Sequence, residues 1–183
     1  MNITAKTKIC LVIADPVEHS LSPQMHNAAY EALGIDDQFI HLAARVKTDD
    51  IKHAVHAVKT LGIRGLTCTI PHKITVMQYL DEIDETAKKI GAANSIVNEN
   101  GKLKGYNTDW IGVVKSLEKV TEIKNKSVAI IGAGGAARAM VYAVIAKGGH
   151  ATIYNRTIEK AKQLAKEFCA IANPLEVLEE IKT

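Results

Sequence analysis

Aromatic side chains make up only 4% of the sequence, with a single tryptophan. Aliphatic packing must therefore build the core, and a base-stacking surface of the kind used by single-strand nucleic-acid binders is not expected. Cysteine is scarce: Cys10, Cys68 and Cys169 are odd in number and far apart. Two of them lie in apolar, strand-like runs, a usage that fits reduced, mostly buried thiols in a cytoplasmic protein rather than a disulfide framework. No stretch approaches the roughly 18 consecutive apolar residues of a membrane helix. The opening MNITAKTKICLVIADP lacks the hydrophobic stretch and small-residue exit of a cleavable signal. Metal-ligand spacing is missing too. His53 and His56 share a helix face, but no acid or cysteine cluster accompanies them, so no metal site is expected.

What is present is an ordinary soluble composition, 47% hydrophobic and 23% charged over 183 residues, enough for one domain or two small ones. The net charge is +3, and the lysines are scattered along helix faces. They read as solvated surface, not as a nucleic-acid stripe.

Short apolar runs alternate with helical spacing. KICLVIA (8–14), QFIHLAA (38–44) and RGLTCTI (64–70) read as strands. Over 23–33 the spacing predicts a helix with Met25, Ala28, Ala29, Ala32 and Leu33 on one face and Gly34 as its stop. TDDIKHAVHAVKTLG (48–62) is an amphipathic helix, and helical segments follow at 73–80 and 82–90. Asn100-Gly101 between two extended runs predicts a hairpin. DWIGVVKSLEKV reads as a connecting helix, KSVAIIGAGGAARAMVYAVIAKGG as strand, glycine turn and helix, then HATIYNR as a strand and TIEKAKQLAKEF as a helix. PLEVLEEIKT is weakly helical. The alternation predicts an α/β protein with largely parallel sheets and two domains. The expected bounds are 1–108, a connecting helix at 109–122, and 123–183, which has room for one mononucleotide-binding half of a doubly wound fold plus a tail.

VAIIGAGGAAR carries the clearest local signal. Gly132, Ala133, Gly134, Gly135 and Ala136 follow an apolar strand and open a helix. Glycine there permits the tight turn and lets the backbone approach a pyrophosphate, which sits on the positive helix end. Ala137 is small where strand and helix must pack closely. NAD-binding folds usually end the next strand with an acid that takes the ribose hydroxyls. Here Asn155, Arg156 and Thr157 stand in its place, with Lys160 one turn further on. A guanidinium fork matches a 2′-phosphate, so the expected cofactor is NADP. Thr157 is placed to cap the helix that follows.

Three polar clusters remain. HSLSPQMH holds Ser20 and Ser22, read either as a helix cap at Ser22 before Pro23 or as an anion grip. TCTIPHK holds Thr69 and Lys73. GAANSIVN with GYNTD offers Asn94, Asn107, Thr108 and Asp109. In open α/β sheets ligands bind outside the carboxyl ends of strands, where these clusters are expected to fall.

Taken in order, PVEHSLSPQMHNAAY, GLTCTIPHK, GAANSIVN, GYNTDWIG, GAGGAAR and NRT resemble the shikimate dehydrogenase family over nearly the whole chain. The resemblance implies a substrate-binding domain and a Rossmann-like NADP domain. It implies reversible, NADPH-dependent reduction of 3-dehydroshikimate to shikimate in aromatic amino-acid biosynthesis, by a cytoplasmic monomer or homodimer that needs no nucleic acid or membrane. The family's carboxylate-binding serines fall on Ser20 and Ser22, and its other substrate contacts on Thr69, Lys73, Asn94 and Asp109. Lys73 is the implied catalytic acid/base and Asp109 its partner. The adenosine-phosphate contacts fall on Asn155, Arg156 and Thr157, while Lys160 stands where many members carry arginine. The chain departs from the common pattern at Thr67-Cys68, usually Asn-Val, and at Ala14, usually glycine. Those changes bear either on packing or on the substrate floor. The resemblance also implies further nicotinamide-binding strands and C-terminal helices beyond these residues. Two alternatives therefore stand beside the main reading: a quinate/shikimate dehydrogenase, and a ligand-binding fragment without turnover.

Overall fold

The computed structural model describes residues 3–180. The chain divides into two compact units. Met1–Lys88 and Ala93–Tyr106 form the first, and Lys89–Ala92 with Asn107–Thr183 the second.

In the first unit β1 (Lys8–Ala14), β2 (Phe39–Arg45), β3 (Gly65–Cys68), β4 (Glu82–Ile83), β5 (Ser95–Glu99) and β6 (Lys102–Tyr106) make one sheet in the order β2-β1-β3-β5-β6-β4. β2, β1 and β3 run parallel, as does the β6–β4 pair, while β5 is antiparallel to β3 and β6. The β5–β6 turn is the expected hairpin. Asn100 (φ 55°) and Gly101 (φ 85°) are both left-handed, as a two-residue hairpin turn requires. Helices α1 (Ser22–Ala32), α2 (Ile51–Thr60), α3 (His72–Thr75) and α4 (Glu85–Ile90) connect the strands. Ile51, Val55 and Val58 of α2 pack with Leu66, Ile96 and Leu103 of the sheet in an aliphatic core. Each such side chain contributes about 1.5–3 kcal/mol of burial.

The structure corrects the sequence reading in three places here. The helix expected over 82–90 starts only at Glu85. Glu82–Ile83 is instead a strand beside β6. Two aspartates impose it. Asp81 accepts the Leu103 N–H at 2.6 Å, and Asp84 accepts the Thr86 N–H at 2.9 Å, capping α4. The second correction concerns α1. Its aliphatic face points to water, with Met25 62% and Leu33 71% exposed. The residues it turns inward are Ser22, Pro23, His26, Asn27 and Tyr30. The third is the cap: Ser22 is already inside α1, Leu21 holds the cap position, and no side chain caps the helix. Ser20 Oγ instead lies 3.4 Å from the Ser22 N–H.

In the second unit β7 (Ser127–Ile131), β8 (His150–Asn155) and β9 (Ile171–Pro174) form a wholly parallel sheet in that order. With it pack α5 (Asp109–Leu117), α6 (Gly135–Ala146) and α7 (Ile158–Phe168). Ala137, Val141 and Val144 of α6 meet Ile130, Ile153 and Leu164 in the core, so the small residue at 137 does allow close helix–strand packing. Strand β9 was not expected from its composition. It follows a left-handed turn at Cys169 (φ 54°), which ends α7 and sends the chain back alongside β8. Cys169 is exposed, unlike the mostly buried thiols expected, whereas Cys68 is buried. A short 3-10 stretch covers Leu175–Glu180. The last three residues of the weakly helical PLEVLEEIKT lie outside the described residues. Among the described residues no helix is long and apolar enough to cross a membrane.

Candidate functional site

The parallel pairing of β1 with β3 brings their carboxyl ends to one edge of the first sheet. Ile13 stands opposite Cys68 there. Because β5 is antiparallel to β3, its first residue, Ser95, stands opposite Thr67 at the same edge. The sequence clusters leave the sheet from these points. Backbone hydrogen bonds then stitch them together. Asp15 N–H donates to the Ile70 carbonyl (3.1 Å) and Thr69 N–H to that of Ile13 (3.1 Å). Cys68 N–H donates to the Asn94 carbonyl (2.8 Å) and Ala93 N–H to that of Lys73 (2.8 Å). Thr69, Lys73 and Asn94 thus belong to one loop cluster, and the segment that leads from β1 to Ser20 and Ser22 leaves from the same edge. The backbone here is tied at four points, and all five residues but the buried Asn94 are partly open to solvent. An ion pair braces the same edge: Arg45, ending β2, meets Asp15 at 2.7 Å.

One neighbour of the cluster escaped the sequence reading. His72, next to Lys73, is fully buried, and its Nε2–H donates to the Val46 carbonyl at 2.7 Å. That bond ties the first turn of α3 to the end of β2. The only sequence signal was its place between Pro71 and Lys73. Cys68 lies within range of the Lys73 charge. Burial nevertheless pushes its thiol up to about 12, with the Lys73 ammonium working weakly in the opposite direction. At 1% exposure it is an inert core residue. Ala14 packs in an apolar cluster with Val12 and Val17. Of the departures from the common pattern, Ala14 and Cys68 are thus packed in the interior, while Thr67 is partly open to solvent.

Asp109, the remaining expected substrate contact, belongs to the second unit and opens α5. Its N–H donates to Asn107 Oδ1 at 3.0 Å, while Asn107 Nδ2 donates to the Ala92 carbonyl at 2.9 Å. Asn107 is thereby committed to holding the chain that presents Asp109.

The second unit also carries the glycine turn. Gly132 adopts φ 109°, a conformation that glycine alone takes readily, and its N–H donates to the Tyr154 carbonyl at 2.7 Å. No atom lies within 4 Å of where a Cβ would stand on Gly132 or Gly134. Gly134 is the extended cap residue of α6 and offers no side chain, so the first N–H groups of α6 are not capped from within the helix. Ala133, Gly135 and Ala136 complete this turn, which fits a pyrophosphate. At the carboxyl end of β8, Asn155 Nδ2 donates to the Thr157 carbonyl at 2.8 Å and fixes the turn into α7. Thr157 holds the cap position, but its hydroxyl makes no capping bond. Arg156, Thr157 and Lys160 are exposed. Neither cation has an ion-pair partner among the described residues. With no acid at this strand end, the residues fit a 2′-phosphorylated ribose.

The chain is similar to known proteins along almost its whole length. Residues 12–96 match the model of the shikimate dehydrogenase substrate binding domain, and residues 115–183 that of shikimate / quinate 5-dehydrogenase. A shikimate dehydrogenase (NADP(+)) of Methanococcus maripaludis (strain C6) is 52% identical over 167 residues, covering 91% of this chain and 59% of its own. The crystal structure of the Aquifex aeolicus shikimate dehydrogenase superposes with a TM-score of 0.90 at 41% identity, over 98% of this chain and 68% of that one. The Thermus thermophilus shikimate 5-dehydrogenase, in complex with NADP(H) and shikimate, gives a TM-score of 0.84 at 34% identity, over 95% and 66%. The chain spans about three-fifths of the length of the curated relatives it matches first. Two family models in tandem, and a fold shared at this identity, leave one conclusion: the chain belongs to the shikimate dehydrogenase family.

Proposed function

We propose that this chain supplies the substrate-binding and adenosine-phosphate-binding parts of an enzyme that reversibly reduces 3-dehydroshikimate to shikimate with NADPH. The observation that carries the reading is that Thr69, Lys73 and Asn94 are tied together at one sheet edge, from which the chain leading to Ser20 and Ser22 also departs. Residues 1–108 are the substrate part, 109–122 the connection and 123–183 the cofactor part. Ser20 and Ser22 hold the substrate carboxylate, and Thr69, Asn94 and Asp109 its hydroxyls. When bound, NADPH is the hydride source. Reduction of the ketone builds negative charge on its oxygen, which the Lys73 ammonium stabilises and protonates. In the reverse direction Lys73 takes the proton from the shikimate hydroxyl. Asp109 is the second catalytic group, accepting from a substrate hydroxyl. The turn from Gly132 to Ala136 holds the pyrophosphate, and Asn155, Arg156, Thr157 and Lys160 hold the 2′-phosphate.

The test is an initial-rate assay of NADP⁺ and NAD⁺ reduction with shikimate and with quinate, alongside calorimetric binding of each ligand. Shikimate-dependent reduction of NADP⁺ in preference to NAD⁺ is expected. A second reading is favoured by the three-fifths coverage of the relatives: a piece that binds its ligands without turning them over. Binding of shikimate and NADP⁺ with no turnover would support it. Failure to bind either would overturn both readings.

A further inference from the structure

Helix α1 is held to the first unit by polar and ring contacts. None of its residues is buried, and its aliphatic face is in water. The main tie is Asn27. Its Nδ2 donates to the His41 carbonyl at 2.9 Å, and its Oδ1 accepts the His41 N–H at 2.8 Å. His41 is in β2, an edge strand. The carboxamide thus takes the place of a neighbouring strand and satisfies two edge groups that would otherwise face water or another chain. One residue before it, His26 stacks on the His41 ring, with centroids 4.3 Å apart and planes 12° apart. Three residues after it, the Tyr30 ring packs against that of Phe39 in β2, with centroids 5.7 Å apart. This polar stripe explains why α1 turns its aliphatic face outward. The edge strand offers hydrogen-bond partners, and Asn27 takes both of them at His41.

We infer that Asn27 is a positioning residue for the serine pair. The inference rests on reading Ser20 and Ser22 as the carboxylate grip. The loop that carries them has two ends. One is fixed by β1 and by buried Val17. The other is the first turn of α1, which no side chain caps. Asn27 lies within the same helix, little more than one turn beyond Ser22. A helix moves as a rigid rod over that distance, so the fork on His41 sets where Ser22 stands and how the loop closes. Without the fork, α1 is free to slide along β2, and the serines lose their register with Thr69, Lys73 and Asn94.

The test uses the whole chain with Asn27→Ala and Asn27→Asp. The aspartate keeps an acceptor for the His41 N–H and loses the donor to its carbonyl. Two measurements are made: amide hydrogen exchange, and calorimetric titration with shikimate and, separately, with adenosine 2′,5′-bisphosphate. Asn27→Ala is expected to speed exchange at Ser20–Met25 and at His41, and to weaken shikimate roughly tenfold. Nucleotide affinity should be unchanged, and Asn27→Asp should fall between. A general loss of stability would instead weaken both ligands together and speed exchange throughout. The inference is overturned if Ser20–Met25 stay as protected as before. It is also overturned if shikimate affinity holds while the Ser20→Ala, Ser22→Ala pair loses it. Failure of the unsubstituted chain to bind shikimate would count against the proposed function, and exchange at Ser20–Met25 would still decide the role of Asn27.

Discussion

The carbonyl oxygen of Lys73 accepts a 2.8 Å hydrogen bond from the N–H of Ala93, the residue before Asn94. Two residues assigned to the substrate, far apart in sequence, are thus held through the backbone of one segment. Replacing the Lys73 side chain leaves that bond intact.

Lys73→Ala should therefore remove the acid/base with little cost in stability. In shikimate-dependent NADP⁺ reduction, kcat is expected to fall by roughly 100- to 10,000-fold. KM should change far less, because the serines and Asn94 remain in place. A kcat within a few-fold of the unsubstituted protein would remove Lys73 from the chemistry.

Cofactor choice should rest on the end of β8. Arg156 is exposed and without an ion-pair partner among the described residues, and no acid stands at that strand end to favour NAD. Arg156→Ala is expected to weaken NADP⁺ binding roughly ten- to a hundredfold, the worth of one charge-assisted phosphate contact, and to leave NAD⁺ binding nearly unchanged. Calorimetry with both dinucleotides checks this. Equal losses for the two would place Arg156 elsewhere.

The stacked histidines predict a pH-dependent stability. His41 is 2% exposed, and neither ring nitrogen has a hydrogen-bond partner among the described residues. Burial, reinforced by neighbouring His26, pushes its pKa down from 6.5 to about 4. Between those values the unfolded chain binds a proton at this position and the folded chain does not. Stability is thus highest above about pH 6.5 and falls as the pH drops towards 4, by about 2–3 kcal/mol at pH 4.5. His41→Met lacks this effect. The stability difference between the two proteins in urea, measured at pH 7.5 and 4.5, should shift by that amount against the histidine. A difference independent of pH would show that His41 titrates normally.

Much of the architecture is legible from local chemistry. Asn100-Gly101 announces the hairpin because only such residues take two left-handed conformations in a row. The strand, glycine turn and helix from Ser127 to Ala146 are legible for the same kind of reason. What stayed hidden depends on partners distant in sequence. Glu82–Ile83 becomes a strand because Asp81 reaches Leu103. The face that α1 presents inward is chosen by Asn27 and an edge strand fourteen residues away, not by the spacing of Met25, Ala28 and Ala29. His72 and Asn107 look like potential ligands in the sequence, yet both are committed to backbone carbonyls. The loop cluster itself was foreseeable, because Thr69 and Asn94 adjoin strand ends, and Ser20 lies in the loop after β1, at the edge to which strand pairing brings them.

Whether the Ser20–Ser22 loop grips a carboxylate is decided by a calorimetric titration with shikimate. The chain is compared with its Ser20→Ala, Ser22→Ala double variant. The cap position of α1 is Leu21, without a side-chain capping bond, and among the described residues Ser20 Oγ accepts the Ser22 N–H at a long 3.4 Å, so the pair should cost little stability. Thermal unfolding should be unchanged and shikimate affinity reduced by roughly a hundredfold or more, the cost of two lost hydrogen bonds to a charged group. Equal affinity in the two proteins would contradict the carboxylate grip and leave HSLSP as no more than the turn that leads into a helix.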